Sequence, residues 1–139
     1  MRVDRLREQI AAEAKHRCGY CLTPQVYVTA PFELEHLRPK GRGGLTVREN
    51  LWLACRFCNA CKADRLSATD PVSGRKVRLF NPRRLRWERH FRWQGILIEG
   101  LTATGRATVE ALRLNDQVQV SPRELWLLVG LFPFGRRFD

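Results

Sequence analysis

Two Cys-x-x-Cys pairs, Cys18/Cys21 and Cys55/Cys58, constrain this chain more than any other feature. Four thiolates in two such pairs match the tetrahedral all-cysteine pattern of structural zinc, each pair presenting two sulfurs from one tight turn. The 33 residues between Cys21 and Cys55 exceed the spacer of about 15 to 20 in ordinary zinc ribbons. A folded unit must therefore fill the gap, with the metal pinning its two ends. The fifth cysteine, Cys61, also stands two residues beyond Cys58 and could compete as a ligand. A thiol one turn into a helix more often packs as a small apolar group, so the zinc is assigned to Cys18, Cys21, Cys55 and Cys58.

A chain of 139 residues has room for one compact domain with a modest core and a small appended part. Its 44% hydrophobic and 28% charged residues fit a globular protein rather than a disordered one. No apolar run approaches the roughly 18 residues of a membrane span, and Met-Arg-Val-Asp-Arg-Leu-Arg lacks a signal-peptide core. A cytoplasmic setting without membrane attachment is expected. Paired cysteines there are more often zinc ligands than disulfides.

The formal charge of +11 favours a polyanionic partner, because each neutralised phosphate releases a condensed counterion. From Arg75 to Arg92, eight of eighteen residues are basic, among them Arg83, Arg84 and Arg86, against one acid, Glu88. Trp87, Phe91 and Trp93 interleave with them. The arginines are expected to face nucleic acid and the aromatic residues to belong to the core.

Leu6, Ile10 and Ala14 lie on one stripe of a helix over residues 3–16. A short strand ends at His36, Pro39 to Gly44 form a loop, Leu51–Ala54 suits a second strand or a buried turn leading into Cys55, and a helix begins near Asn59. The turn-rich stretch Thr69–Gly74 is taken as a seam between a core, 1–70, and a basic extension, 71–139. In the extension, strands are expected at 77–80 and 96–101. A helix over 104–114 is expected to start on Thr104, and another on Ser121-Pro122-Arg123-Glu124, which has the form of a capping box.

Taken in order, Cys18-x2-Cys21, Glu35-His36, Gly43-Gly44, Asn50-Leu51, Cys55-x2-Cys58-Asn59 and Lys62 resemble the HNH endonuclease family in its four-cysteine form. The resemblance covers roughly residues 18–65. Further elements, Asp70-Pro-x-x-Gly, Leu79-Phe-x-Pro-Arg-Arg, Trp87-x-x-His-Phe and Leu101-Thr-x-Thr-Gly-Arg-Ala-Thr-Val, resemble the C-terminal extension of small bacterial members. The fold class this implies is α+β: a ββα-metal (His-Me finger) core stapled by zinc, with an N-terminal helix and a small α/β extension.

The activity implied is hydrolysis of phosphodiester bonds in DNA, with RNA also open as substrate and a monomer or homodimer as the working unit. His36 is the natural general base, since a neutral imidazole is available near pH 7. The resemblance gives Glu35 and Asn59 to a catalytic cation, and a carboxylate, amide and water sphere suits Mg2+ or Mn2+. Asn59 is equally suited to cap a helix. Asn50 is expected to brace the loop and orient His36. Arg38, Lys40, Arg42 and Lys62 are expected at the phosphate backbone. Glu35 and Asn59 depart from the commoner pattern, which has Asp or His at the first position and His at the second. The alternative from another class is a non-catalytic zinc-stapled nucleic-acid-binding module, which needs only the cysteines and arginines.

Overall fold

A computed structural model of the chain describes residues 2–135. Helix α1, Arg2–Glu13, presents Ile10 to the interior and packs along strand β2. Strands β1, Glu33–His36, and β2, Leu51–Ala54, pair antiparallel, with Glu35 opposite Trp52 and His36 opposite Leu51. Helix α2, Arg56–Lys62, follows β2 directly and lies against β1. Its N-cap is Cys55, whose sulfur accepts from Cys58 N, and Ala63 ends it with a positive φ. Asn59 therefore sits inside the helix rather than at its start, and its amide is free of the capping role.

The stretch expected as a seam is the turn of a hairpin. Strands β3, Ser67–Thr69, and β4, Lys76–Arg78, pair antiparallel across it. Asp70 closes the turn: its carboxylate accepts from Val72 N, Ser73 N and Ser73 Oγ. It also takes both arms of the Arg106 guanidinium at 2.9 Å. A short helix α3, Trp87–His90, leads into the hairpin of β5, Phe91–Gln94, and β6, Leu97–Gly100.

Helix α4, Ala103–Ala111, packs on β6 and on the β3–β4 hairpin. Its N-cap is Thr102, not Thr104, because the Thr102 hydroxyl accepts from Gly105 N at 3.0 Å. A Cβ on Gly105 would stand 2.0 Å from the His90 carbonyl oxygen, so only glycine lets the helix approach this closely. Helix α5, Gln117–Leu128, begins on Asp116, whose carboxylate accepts from Val118 N. The expected start at Ser121 is overridden, and Pro122 lies within the helix.

One hydrophobic cluster joins the parts. Cys18, Tyr20, Leu53 and Cys58 pack with Leu79, Phe80, Phe91, Ile98, Leu112 and Leu114. Trp87 and Trp93 pack against this cluster, as core positions should, and Trp87 Nε1 donates to Tyr20 O. Among the described residues no helix is long and apolar enough to cross a membrane.

Candidate active site and cysteine cluster

The two cysteine pairs converge. The sulfurs of Cys18, Cys21, Cys55 and Cys58 all lie within 4.8 Å of one another. Cys21 Sγ is 3.8 Å from Cys55 Sγ, the edge length of a tetrahedron with metal–sulfur bonds of about 2.3 Å. Backbone N–H groups of Tyr20 and Cys58 each point at a ligand sulfur, of Cys18 and Cys55, at 3.4 Å. Thr23 Oγ1 lies 3.2 Å from Cys21 Sγ, and Gln119 Nε2 donates to Cys58 Sγ at 3.3 Å. Such contacts orient ligands and tune their basicity. Cys61 is outside the cluster. The residues present fit a zinc ion.

β1 carries the acid–histidine pair and, being regular, sends the two side chains to opposite faces. His36 is half-buried, with Nε2 2.9 Å from Thr46 Oγ1. Burial first, then the charges of Lys40 and Lys62, hold its pKa below the ordinary 6.5. The ring is thus neutral at neutral pH.

The loop after His36 is held by Asn50. Its Oδ1 accepts from Arg38 N at 2.8 Å, and its Nδ2 donates to Arg38 O and Leu45 O at 3.0 and 2.9 Å. Leu37 N donates to the Asn50 carbonyl, so the side chain and main chain of one residue pin both sides of the loop. Gly44 is packed so tightly here that a Cβ would fall 1.7 Å from the Arg38 carbonyl oxygen.

On the other face, Glu35 is 2% exposed. Its Oε1 accepts from Tyr20 Oη at 2.7 Å, and its Oε2 lies 2.9 Å from Lys62 Nζ. That second contact is an ion pair off hydrogen-bond geometry: among the described residues Oε2 accepts no hydrogen bond. Burial pushes the Glu35 pKa up, and Lys62 opposes the shift. Asn59 instead donates from Nδ2 to Glu33 Oε1 at 2.7 Å, while Arg56 Nε lies 3.6 Å from Glu33 Oε2. Glu35 and Asn59 thus have different partners, and no hydrogen bond joins them among the described residues. A carboxylate enclosed by a phenol and an ammonium does not fit a hydrated divalent cation, so the pair expected to hold Mg2+ or Mn2+ is not a site as it stands.

Two other expectations change. Lys62, read as a phosphate contact, is 3% exposed and turned inward, because burial on α2 requires its charge to be paired. Arg83 is drawn into the fold, where its guanidinium binds Glu13 Oε1 and Leu51 O and covers the Trp52 ring. Arg38, Lys40, Arg42, Arg84 and Arg86 remain exposed. An open cleft of about 260 Å³ is lined by Arg38, Glu49, Asn50, Arg78, Asn81 and Arg84. Arg78 belongs to the basic stretch expected to face nucleic acid, whereas Asn81 was not singled out in the sequence, since nothing local separates it from other polar residues. Glu33 and Thr46 were also missed, for they gain meaning only through Asn59 and His36.

Residues 18–65 match the family model described as HNH endonuclease. The four clustered cysteines all lie inside that stretch, so this segment is similar to the HNH endonuclease family and has a cysteine arrangement consistent with a zinc site. No curated protein and no solved structure matches the chain.

Proposed function

We propose that the chain is an HNH endonuclease that hydrolyses phosphodiester bonds in DNA, nicking one strand or cutting both, with zinc in the four-cysteine cluster as a structural ion. The β1–β2–α2 unit is read as its ββα core, and His36 as the general base. The reading takes the tautomer in which Nε2–H donates to Thr46 Oγ1, which leaves the imidazole lone pair at Nδ1. Water attacks phosphorus in line as its proton passes to the imidazole. The bond to the 3′ oxygen breaks, and that oxygen takes up a proton, leaving a 5′-phosphate and a 3′-hydroxyl. Asn50 positions the loop that follows the base. Arg38, Lys40, Arg42, Arg84 and Arg86 offset the charge of the strand.

The observation that carries this reading is a neutral, half-buried imidazole at the end of β1, followed by a loop braced by Asn50, inside the segment matched to a nuclease family. A divalent cation belongs to the reaction that the resemblance implies. Since Glu35 and Asn59 do not form its site as they stand, no step is assigned to it.

Conversion of supercoiled plasmid in the presence of Mg2+ or Mn2+ tests the reading. His36→Ala should remain folded and lose cleavage; equal cutting by parent and variant would remove His36 from the chemistry. The closure of Glu35 by Lys62 specifically favours a second reading, a non-catalytic zinc-stapled module that binds nucleic acid. Binding without cutting by the zinc-loaded parent would select it.

A further inference from the structure

The contacts of Lys62 are the least expected feature of the site. Its side chain is 4% exposed, and its ammonium is surrounded by three oxygens: Glu35 Oε2 at 2.9 Å, Leu37 O at 3.2 Å and His36 O at 3.4 Å. A carboxylate with two main-chain carbonyls is the donor set that hard cations take. Here a side chain of the protein already fills it. The neighbouring cavity, lined by Tyr20, Leu37, Lys62 and Asn81 among others, is about 30 Å³. That holds a water molecule but not a cation with its own water shell.

We infer that Lys62 is a built-in cation standing where the family pattern would place a divalent ion at Glu35. Glu35 and Lys62 are then positioning residues: they fix the carbonyls of His36 and Leu37, and through them the histidine loop, and Glu35 does not ligate Mg2+ or Mn2+. The role assigned to the loop rests on the nuclease reading, but the ion pair itself does not.

The test uses the full chain loaded with zinc. Mn2+ affinity, measured by electron paramagnetic resonance without DNA, is compared in the parent, Glu35→Gln and Lys62→Met. Thermal melts compare the two single variants with the double. The expected result is an affinity for Mn2+ in Glu35→Gln within about twofold of the parent, because no ligand has been removed. Each single variant should melt below the parent, and the double should regain part of the loss, since it leaves no buried charge unpaired. The His36 ring resonances should shift in Lys62→Met, which a distant packing defect would not produce. Loss of Mn2+ affinity by tenfold or more in Glu35→Gln, with a gain in Lys62→Met, would overturn the inference. So would losses that simply add in the double variant. If Lys62→Met does not fold, the Glu35→Gln arm decides alone. None of these readouts needs cleavage, so failure here is distinct from failure of the nuclease reading.

Discussion

Gln119, on the C-terminal helix, donates its amide to the sulfur of Cys58 at 3.3 Å, across 61 positions of sequence. The cysteine cluster is therefore not an isolated knuckle. One of its sulfurs is oriented by an element that follows the matched segment, and α5 is held in place by that bond. Arg123, one turn further along α5, is fully buried and donates to Ile96 O and Leu114 O.

Removal of zinc should unfold much more than two turns. Structural zinc contributes on the order of 10 kcal/mol in small peptides, so Cys55→Ser or a strong chelator should abolish the cooperative melt. Gln119→Ala removes only an outer contact. It should keep the fold and weaken zinc retention about tenfold, measured by competition with a chromogenic chelator. Unchanged retention would deny Gln119 that part.

The pH profile of cleavage should report the neutral imidazole. Because the His36 pKa is lowered, chiefly by burial and then by Lys40 and Lys62, the base form persists on acidification and the acid limb lies below about 6.5. Lys40→Met removes a repelling charge, so the limb should move up. A limb at or above the ordinary histidine value in the parent would contradict the environment described for the ring.

Asn50 makes three side-chain hydrogen bonds to the loop. Asn50→Ala should cost about 1–3 kcal/mol in urea unfolding, with loss of cleavage. Asn50→Asp keeps the acceptor for Arg38 N but cannot donate to the carbonyls of Arg38 and Leu45. It should be no better than alanine in activity; full activity of the aspartate variant would show that the donated bonds are dispensable.

Asp70 titrates far below the ordinary carboxylate range, chiefly because Arg106 binds it and also because Ser73 and Val72 donate to it. A depressed folded-state pKa contributes stability that is present above the unfolded value near 3.9 and is lost as pH falls through the folded value. Asp70→Asn should therefore melt below the parent at neutral pH, and the gap should narrow only under acid conditions. A gap independent of pH down to strong acid would mean that charge is not what Asp70 supplies.

The guanidiniums of Arg78 and Arg84 line the open cleft and make no ion pair among the described residues. Their joint replacement by alanine should leave the melting temperature unchanged and reduce the salt slope of DNA binding by about 2. Arg83→Ala should do the reverse, destabilising the fold through Glu13 and Leu51 with less effect on the slope. Equal salt slopes for the cleft variant and the parent would move the nucleic acid elsewhere.

Features readable from the sequence are those set by short spacing. The cysteine pairs dictate two knuckles, and β2 follows from the Leu51–Ala54 run between Asn50 and Cys55. What was not legible depends on groups distant in sequence. Lys62 carries the same signature as any helical lysine, and only the packing of α2 on β1 turns it toward Glu35. Ser121-Pro122-Arg123-Glu124 satisfies every local condition for a helix start, yet α5 begins at Asp116 because Gln119 and Arg123 must both reach inward. Arg83 and Arg84 are adjacent and chemically identical, and the positions of Glu13 on α1 and of Leu51 and Trp52 on β2 separate their roles.

The shared apolar cluster, in which Tyr20 and Leu53 pack with Phe80, Phe91 and Leu112, has a consequence for engineering. Residues 18–65 are not a portable cassette. Excised, they would expose the apolar flank that the later hairpins and α4 now cover, and would collect into aggregates even with all four thiolates metallated. Grafting this chemistry onto another scaffold means transplanting its supporting half as well.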